Sequence, residues 1–410
     1  MTNKNNIPAG YKDSAVGIIP QEWEVKRLVD LCQNTGDYGI NAPAVPYRED
    51  LPTYLRITDI DGWGKFIETD KVSVDNPNSS QFILREGDIV FARTGATVGK
   101  TYLYDSKDGQ LVFAGFLIRF TPNSNKAIPY YIKTCTETAS YWNWVRVISQ
   151  RSGQPGINSV EYGAMKLAVP PMEEQRKIAE ILGVWDEAIE KQSRLIEKLE
   201  LRKRALMQRL LTGRTRLPGF TTPWQKVKLG EIFKERNETK CEHLPLLSIT
   251  AERGVILQSE SDKKDTSNDD KSKYKRIYPN DIGYNTMRMW QGRSALSAME
   301  GIVSPAYTIV TPKVGIDPLF ISELIKQPRA VYDFWTHSQG LVGDTLNCKF
   351  HDFSQVKVAI PSLPEQKAIT AVLTAADNEI NIHRKKLDAL RLQKRGLMQQ
   401  LLTGKTRVRI

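Results

Sequence analysis

The chain has 410 residues, of which 40% are hydrophobic, and a formal net charge of +11, which indicates two or three domains with packed cores. No run approaches the roughly 20 apolar residues of a membrane span, and the first ten residues lack the pattern of a signal peptide. Four scattered cysteines and four scattered histidines argue against a disulfide framework or a metal site, so we expect a cytoplasmic protein without a cofactor of its own.

The positive charge is concentrated in two segments. Residues 190–216 hold nine Lys or Arg against three Glu, and residues 381–410 hold nine Lys or Arg against one Asp. Such basic faces commonly meet nucleic acid or an acidic partner. For any single Lys or Arg, a solvated helix surface remains the alternative.

The first part of the chain, residues 1–170, has the pattern of a mixed α+β domain. Strand-like runs occur at 53–58, 88–93 and 111–122, and a single helix is predicted after Pro129. Two loops rich in Arg, Thr, Gly and Gln, at 92–100 and 149–156, are the candidate contact loops of this domain.

Two features of the chain imitate enzyme motifs. GATVGKT at 95–101 has three residues between its glycines, whereas a phosphate-binding P-loop needs four. Asp88 and Asp281 recur at matching places without the further Lys and acid of a nuclease, and we interpret them as turn residues at strand starts. No enzyme signature remains, so we predict a non-catalytic protein.

A repeat with a constant offset of 191 residues dominates the rest. MKLAVPPMEEQRKIAEIL at 165–182 matches VKVAIPSLPEQKAITAVL at 356–373, and ALMQRLLTG at 205–213 matches GLMQQLLTG at 396–404. Each copy predicts a long helix, in residues 171–216 and 362–410, with Glu-Gln in its first turn and glycine at its end. About 40 residues at about 1.5 Å each give a length of roughly 60 Å.

Within each helix, apolar residues recur in alternating steps of four and three, which is the pattern of a coiled coil. Trp185 aligns with Ala376, and the polar residues Gln192 and His383 occupy equivalent positions that can set the register. The predicted pairing residues are Ile178, Leu182, Trp185, Ile189, Ile196, Leu199, Leu206 and Leu210 in the first helix, and Ile369, Leu373, Ile380, Leu387, Leu390, Leu397 and Leu401 in the second.

Between the helices, residues 217–361 have the pattern of a second α+β domain. Strand-like runs lie at 244–250, 281–287 and 301–312, and a single helix is predicted after Pro318. The polar run 259–276 has no counterpart in the first domain, and we interpret it as a mobile loop that a ligand orders.

The connections predict how the helices run. A compact domain usually keeps its termini close, so the end of the first helix and the start of the second meet at the same domain. The helices should therefore be antiparallel and related by a pseudo-twofold axis. Because Trp23 aligns with Trp224, the C-terminal tail should lie beside the N-terminus.

The loops of both domains carry side chains that suit DNA. Arg pairs with guanine and Gln with adenine in the major groove, and Gly lets the backbone approach phosphate; an ordinary turn is the alternative for each loop. The candidate residues are Arg93, Thr94, Lys100, Arg146, Gln150, Arg151, Ser152, Gly153 and Gln154 in the first domain, and Lys273, Tyr274, Arg288, Trp290, Gln291, Arg293, Ser338 and Gln339 in the second.

Across nearly its whole length, the chain resembles the specificity subunits of type I restriction-modification systems. The resemblance rests on PPMEEQRKIAEIL and PSLPEQKAITAVL, on LLTGRTRLPGF and LLTGKTRVRI, and on GDIVFARTGATVGK and SGQPGIN, which resemble target-recognition-domain sequences. Arg93, Thr94 and Lys100 match the RTGATVGK element, and Ser152, Gly153 and Gln154 match the SGQP element.

The resemblance implies that each domain reads one half of a bipartite double-stranded DNA target. It implies that the helices set the spacing and dock two methyltransferase subunits, which restriction subunits join. S-adenosylmethionine, ATP and Mg would bind only to those partners. The alternative is a non-enzymatic coiled-coil scaffold that carries two protein- or peptide-binding domains.

Overall fold

The computed structural model describes residues 7–150, 153–250, 253–261, 268–340 and 345–409. The chain divides into two compact units, one formed by Met1–Ser193 with Lys386–Ile410 and the other by Arg194–Lys385. Each long helix therefore contributes one end to each unit. Among the described residues, no helix has both the length and the apolar character needed to cross a bilayer.

The first unit mixes sheets and helices, as predicted. Its two four-stranded sheets have the strand orders β10-β6-β7-β5 and β4-β11-β8-β9, and β12 pairs with β3 and β1 with β2. The strands are β1 Tyr11–Lys12, β2 Ile19–Pro20, β3 Glu24–Arg27, β4 Asp37–Tyr38, β5 Val45–Pro46, β6 Thr53–Leu55, β7 Val72–Ser73, β8 Ile89–Ala92, β9 Thr101–Leu103, β10 Leu111–Phe113, β11 Leu117–Phe120 and β12 Lys166–Val169. The helices are α1 Leu28–Leu31, α2 Pro129–Cys135, α3 Ala139–Ile148, α4 Ser159–Gly163 and the first part of the long α5 Met172–Leu210.

The second unit repeats the helix order and one of the four-stranded sheets. Its strand orders are β14-β21-β18-β19, β13-β22, β15-β16 and β17-β20. The strands are β13 Gln225–Lys228, β14 Phe233–Arg236, β15 Leu247–Ile249, β16 Val255–Leu257, β17 Lys275–Ile277, β18 Ile282–Asn285, β19 Ser294–Leu296, β20 Gly301–Val303, β21 Tyr307–Pro312 and β22 Lys357–Ile360. The helices are α6 Leu229–Ile232, α7 Pro318–Leu324, α8 Pro328–His337, α9 Phe350–Gln355 and the first part of the long α10 Leu363–Leu401. The predicted loop at 259–276 includes residues 262–267, which lie outside the described residues.

The sequence predicted one helix in each unit where the structure has two, and this prediction was wrong. In the first unit the hydroxyl of Thr138 accepts a hydrogen bond from the Tyr141 amide and starts α3, as N-terminal capping residues do. In the second unit Pro328, which has no amide hydrogen to give to a preceding turn, stands at the start of α8.

The predicted strands at 111–122 and 301–312 are also interrupted. Residues 114–116 separate β10 from β11, and residues 304–306 separate β20 from β21. In the first interruption the Leu117 amide donates to the Ala114 carbonyl, and in the second the Tyr307 amide donates to the Ser304 carbonyl. Each turn sends the chain into a different sheet, which a continuous apolar run cannot reveal.

Asp88 and Asp281 act as turn residues, as interpreted from the sequence. Each stands immediately before a central strand, and its carboxylate accepts a backbone amide three residues earlier, at Arg85 and Tyr278, both at 2.9 Å. A threonine hydroxyl donates to each acid at 2.6 Å. These hydrogen bonds satisfy the buried carboxylates, which explains their recurrence.

The two long helices have identical lengths and identical ends. Each contains 39 residues, close to the predicted 40. Gly213 and Gly404 follow them with φ of +68°, a left-handed conformation that favours glycine. Their amides donate to the carbonyls of Leu210 and Leu401.

In the first unit, the start of α5 packs with the end of α10. Ile178 and Leu182 share a hydrophobic core with Met398 and Leu401. The Lys394 ammonium lies 2.7 Å from the Asp186 carboxylate.

In the second unit, the end of α5 packs with the start of α10 in the same way. Leu210 shares a core with Ile369 and Leu373. The Lys203 ammonium lies 2.6 Å from the Asp377 carboxylate, so the Lys–Asp pair of the first unit recurs with the positions exchanged between the helices. Every residue of the predicted stripe is buried or partly buried.

A buried glutamate at the start of each long helix holds distant parts of its unit together. In the first unit Glu174 accepts the indole N–H of Trp23 at 2.9 Å and two guanidinium N–H groups of Arg407 at 2.7 and 3.0 Å. In the second unit Glu365 accepts the indole N–H of Trp224 at 3.4 Å and Arg216 at 2.6 and 2.7 Å. We call each set a Trp–Glu–Arg cluster.

The predicted meeting of the two chain termini is confirmed within the first unit. The Tyr11 hydroxyl donates to the Gly404 carbonyl at 2.8 Å, and Arg407 pairs with Glu22 at 2.8 Å. The hydrogen bond from Arg407 to Glu174 raises the pKa of Arg407, against the effect of its partial burial. The C-terminal tail thus completes the Trp–Glu–Arg cluster of the first unit, as residues 213–224 complete that of the second.

We expect Glu174→Ala to lower the free energy of unfolding by about 1–3 kcal/mol, because it leaves the buried indole N–H of Trp23 without an acceptor. The matched control is Glu173→Ala, which removes an exposed ion pair with Arg176 and should cost about 0–1 kcal/mol. Denaturant unfolding of both variants tests this. Equal losses would show that the cluster does not stabilise the unit.

Candidate DNA interface

The structure brings the two predicted contact loops of the first unit together. The Ile157 amide donates to the Arg93 carbonyl at 2.9 Å, and the Gly95 amide donates to the Pro155 carbonyl at 3.0 Å. Thr94 and Gly156 form an isolated β-bridge. Residues 93–100, which leave the end of β8, and residues 153–157, which follow α3, therefore form one surface.

Arg93 lies on this surface beside two aromatic residues that sequence reasoning missed. Its guanidinium lies 4.7 Å from the ring centre of Tyr38, and its amide donates to the carbonyl of Phe116, whose side chain is 58% exposed. The pairing of β4 with β11 places Tyr38 there, and no local motif indicates it. The cation–π contact limits the directions in which the guanidinium can point.

The Tyr38 hydroxyl is itself fixed. It accepts the amide of Ser159 at 3.1 Å. Burial acts to raise the pKa of Tyr38, but the hydrogen bond from Ser159 and the positive charge of Arg93 together lower it. The aromatic ring that supports Arg93 is thus held by backbone on its far side.

Other candidates of the first unit are divided between the surface and the interior. Gly153 and Gln154 are exposed, as are Arg146 and Gln150 near the end of α3, and Thr94 is partly buried. The Lys100 ammonium donates to the Ile60 carbonyl at 2.8 Å, so its charge is engaged within the protein. Arg151 and Ser152 lie outside the described residues.

The second unit builds an equivalent surface from different residues. The Cys348 amide donates to the Thr286 carbonyl at 2.9 Å. Thr286 follows β18 as Arg93 follows β8, so this hydrogen bond is the counterpart of the one from Ile157 to Arg93 in the first unit. Gly292 has φ of +73°, and a Cβ built on it would lie 3.1 Å from Val331 on α8. The loop that follows β18 therefore packs closely on α8.

Several side chains of this loop point to solvent. Arg288, Gln291 and Arg293 are exposed, whereas the indole N–H of Trp290 donates to the Met287 carbonyl at 3.0 Å. On α8, sequence reasoning missed Tyr332 and Trp335, which are exposed and have ring centres 5.8 Å apart. Two aromatic residues at i and i+3 on the polar side of an amphipathic helix are the signal that could have found them.

The remaining candidates of the second unit are partly internal. The Ser338 hydroxyl donates to the Phe334 carbonyl at 2.8 Å, and the side-chain amide of Gln339 donates to the Asp352 carboxylate at 3.0 Å. Tyr274 is buried against Cys241 and Ile302, while the neighbouring Lys273 is exposed. In residues 7–150, 153–250, 253–261, 268–340 and 345–409, no three His, Cys, Asp or Glu side chains are grouped to hold a metal.

Paired loops with Arg, Gln and exposed aromatic side chains, presented by each of two α+β units, are typical of a DNA-recognition protein. The chain belongs to the family of the type I restriction modification DNA specificity domain, whose model matches residues 20–201 and 319–392. It is therefore a specificity subunit of this family, whose members recognise DNA and are not catalytic. The resemblance that the sequence motifs indicated is confirmed.

Relatives and solved structures agree with this assignment. The chain is 26% identical to the "Putative type I restriction enzyme MjaX specificity subunit" of Methanocaldococcus jannaschii, over 97% of both chains. It is similar in fold to the type I restriction-modification S subunit of M. genitalium, with 13% identity, a TM-score of 0.54 and coverage of 98% and 99%. A chain from a structure described as the basis of complex assembly and conformational transition of the type I R-M system gives 16% identity, a TM-score of 0.57 and coverage of 95% and 99%.

We expect Arg93→Ala to relax discrimination in one half of the DNA target by about 1–3 kcal/mol, because Arg can pair with two acceptors of a single guanine. Competition binding with duplexes altered at one base pair at a time measures this. The matched control is Arg27→Ala, which removes an exposed arginine paired with Asp30. Equal weakening on all duplexes, or the same relaxation in the control, would contradict the assignment.

Proposed function

We propose that this specificity subunit reads a bipartite DNA sequence, one half through residues 1–170 and the other through residues 217–361. The observation that carries the proposal is the equivalent placement of unlike loops. In both units a loop after a central strand is joined to a second loop by a backbone hydrogen bond, and the side chains presented there differ. One framework with two different surfaces suits an asymmetric target.

The proposed contacts are the side chains that the units leave exposed on these loops and on the neighbouring helices. In the first unit we propose Arg93, which is partly buried, and the exposed Gln154, Arg146 and Gln150, with Phe116 beside them. In the second unit we propose Arg288, Gln291, Arg293 and the exposed aromatic residues Tyr332 and Trp335. Tyr274 and Lys100 are left out because their side chains are used inside the protein.

We further propose that residues 171–216 and 362–410 form an antiparallel coiled coil with pseudo-twofold symmetry that sets the distance between the two half-sites. The support comes from each unit separately. Asp186 with Lys394 in one, and Lys203 with Asp377 in the other, are equivalent pairs with exchanged positions. Both Trp–Glu–Arg clusters also join the start of one helix to the chain beyond the end of the other.

In this proposal the repeated helices dock two copies of one methyltransferase subunit, and restriction subunits complete the complex. S-adenosylmethionine, ATP and Mg bind to those partners. The description of complex assembly belongs to the similar solved structure and supports the extension to this chain. A reader of cellular DNA acts where that DNA lies, so the proposal includes a cytoplasmic location. Family membership argues against the alternative of a peptide-binding scaffold.

The direct test of the two-reader proposal is a domain replacement. Residues 1–165 are exchanged for the matching region of another specificity subunit that carries a tryptophan at the position of Trp23, with Glu174 and Arg407 kept so that the first Trp–Glu–Arg cluster can form. We expect one half of the methylated sequence to change and the other half to stay the same, as determined by mapping methylated bases. A change in both halves, or in neither, would refute independent reading.

The spacing proposal predicts the result of lengthening both helices. Seven residues inserted after Ser193 and seven after Lys385 add about 10 Å to each helix. Because DNA rises about 3.4 Å per base pair, the unread gap should grow by about three base pairs. Four residues inserted into one helix alone should disturb the pairing of the helices. The tolerated gap should then change, but not by the defined three or so base pairs expected when both helices are lengthened. An unchanged gap in both variants would show that the helices do not set the spacing.

A further inference from the structure

A short loop of the first unit lies between the candidate DNA surface and the final turns of α10. Residues 60–65, which we call the 60–65 loop, follow β6, and the Ile60 carbonyl accepts a hydrogen bond from the Lys100 ammonium at 2.8 Å. Lys100 is the last residue of the contact loop at 93–100. Trp63, near the middle of the 60–65 loop, lies against α10. Both contacts are made within the first unit.

The ring of Trp63 contacts two arginines of α10. Its centre lies 4.4 Å from the guanidinium of Arg391 and 5.5 Å from that of Arg395. The Arg391 Nε is buried and has no hydrogen-bond partner in the described part of the chain, so the cation–π contact is an important interaction of this guanidinium. Because Trp63 is still 46% exposed, its ring covers the surface of the helix and is not part of a core.

Hydrogen bonds and close packing fix the conformation of the 60–65 loop. The Asp61 carboxylate accepts the amides of Trp63 and Lys65 at 2.7 and 2.9 Å, as aspartate does in tight turns. Gly64 has φ of +71°, and a Cβ built on it would lie 2.5 Å from the Thr101 carbonyl oxygen. The loop therefore packs directly on the first residue of β9, which follows the contact loop.

A second connection to α10 lies beside the first. The Lys133 ammonium, which a Cβ on Gly64 would approach to 2.7 Å, pairs with Glu137 at 2.6 Å. Glu137 also pairs with Lys394 of α10 at 3.2 Å. The two lysine side chains are 7% and 9% exposed, and a buried charge is costly unless it is paired. The globular part of the first unit is thus joined to α10 by a cation–π contact and by a buried ionic contact.

The equivalent position in the second unit is used differently. The repeat places Glu200 of α5 in the position that Arg391 has in α10. Glu200 accepts a hydrogen bond from Arg384 of α10 at 2.5 Å, so at this position the two helices of the second unit pair with each other. In the first unit the same position of the repeat holds the globular part.

We propose that Trp63 is a positioning residue for DNA recognition, which fixes the 93–100 contact loop on α10 so that the first half-site is accepted at one distance only. Trp63 acts through Arg391 and Arg395 and does not touch DNA. Because DNA rises about 3.4 Å per base pair, a contact loop held more closely than that distance rejects a half-site displaced by one base pair. The inference rests on the proposed function, in which the helices set the separation of the half-sites, and it assigns the rigidity of that separation to a named contact.

The test uses the full chain with its methyltransferase, and duplexes whose gap has the natural length or is one base pair shorter or longer. We expect Trp63→Leu to reduce the preference for the natural gap by about three- to tenfold, the factor that one or two cation–π contacts are worth, as measured by competition binding. Discrimination against single base-pair changes in both half-sites should stay as in the wild type, because the contact residues are unaltered. Trp63→Phe should restore most of the gap preference, since phenylalanine keeps an aromatic face for the arginines.

Lys100→Met tests the other end of the 60–65 loop. It removes the hydrogen bond to the Ile60 carbonyl and should reduce the gap preference in the same way as Trp63→Leu. Loss of a contact with DNA phosphate would instead weaken binding to all duplexes and reduce the salt dependence of binding. That second result would assign Lys100 to the DNA and would overturn the proposed connection.

The matched control is Tyr47→Leu, which removes another aromatic residue of the first unit that is 49% exposed and should leave the gap preference unchanged. The inference is overturned if Trp63→Leu keeps the wild-type gap preference, if Trp63→Phe fails to restore it, or if Tyr47→Leu reduces it equally. Loss of base discrimination together with gap preference in Trp63→Leu would also overturn it, because that pattern shows general damage to the unit. A wild type that prefers no gap length at all would contradict the proposed function itself.

Discussion

The carboxylate buried at the start of each long helix is the interaction on which the rest of each unit depends. A buried charge is costly unless its hydrogen bonds and charge are matched, and here an indole N–H and an arginine supply both. In each unit the glutamate stands at the start of one long helix and the arginine lies beyond the end of the other, so the chain satisfies the charge only when these distant segments have met. This explains why Pro-x-x-x-Glu-Gln, Thr-Gly-x-Thr-Arg and the tryptophan are each present twice in the sequence.

The clusters also explain how one chain combines repetition with difference. The framework residues, Glu174 with Glu365, Asp88 with Asp281, and Gly213 with Gly404, have the same partners or the same conformation in both units. The surfaces between them differ. Lys394 pairs with Asp186 and also lies 3.2 Å from Glu137, which follows α2, whereas Lys203 of the second unit pairs with Asp377. The globular part of the first unit is thus joined to the helices by an additional ionic contact.

The framework could be predicted from the sequence, because it depends on local periodicity and on an exact repeat. The long helices, their glycine ends and the meeting of the termini follow from positions that recur at one offset.

The division into α2 and α3 could not be predicted by periodicity, since both helices continue the same apolar pattern and only the cap at Thr138 separates them. The aromatic support of Arg93 was missed because Tyr38 reaches it through strand pairing across about 80 residues. Lys100 matched a contact motif, but its ammonium group donates to the Ile60 carbonyl, and no sequence motif predicts that hydrogen bond.

The central claim is that a single chain with two unlike readers on a repeated framework recognises two half-sites at a fixed separation. The most direct measurement is base-resolution methylation mapping of a genome exposed to this chain together with its methyltransferase. The account predicts one asymmetric, bipartite sequence with an unread gap of constant length and a methylated base in each half. A contiguous palindromic sequence, or half-sites methylated at variable separations, would contradict it.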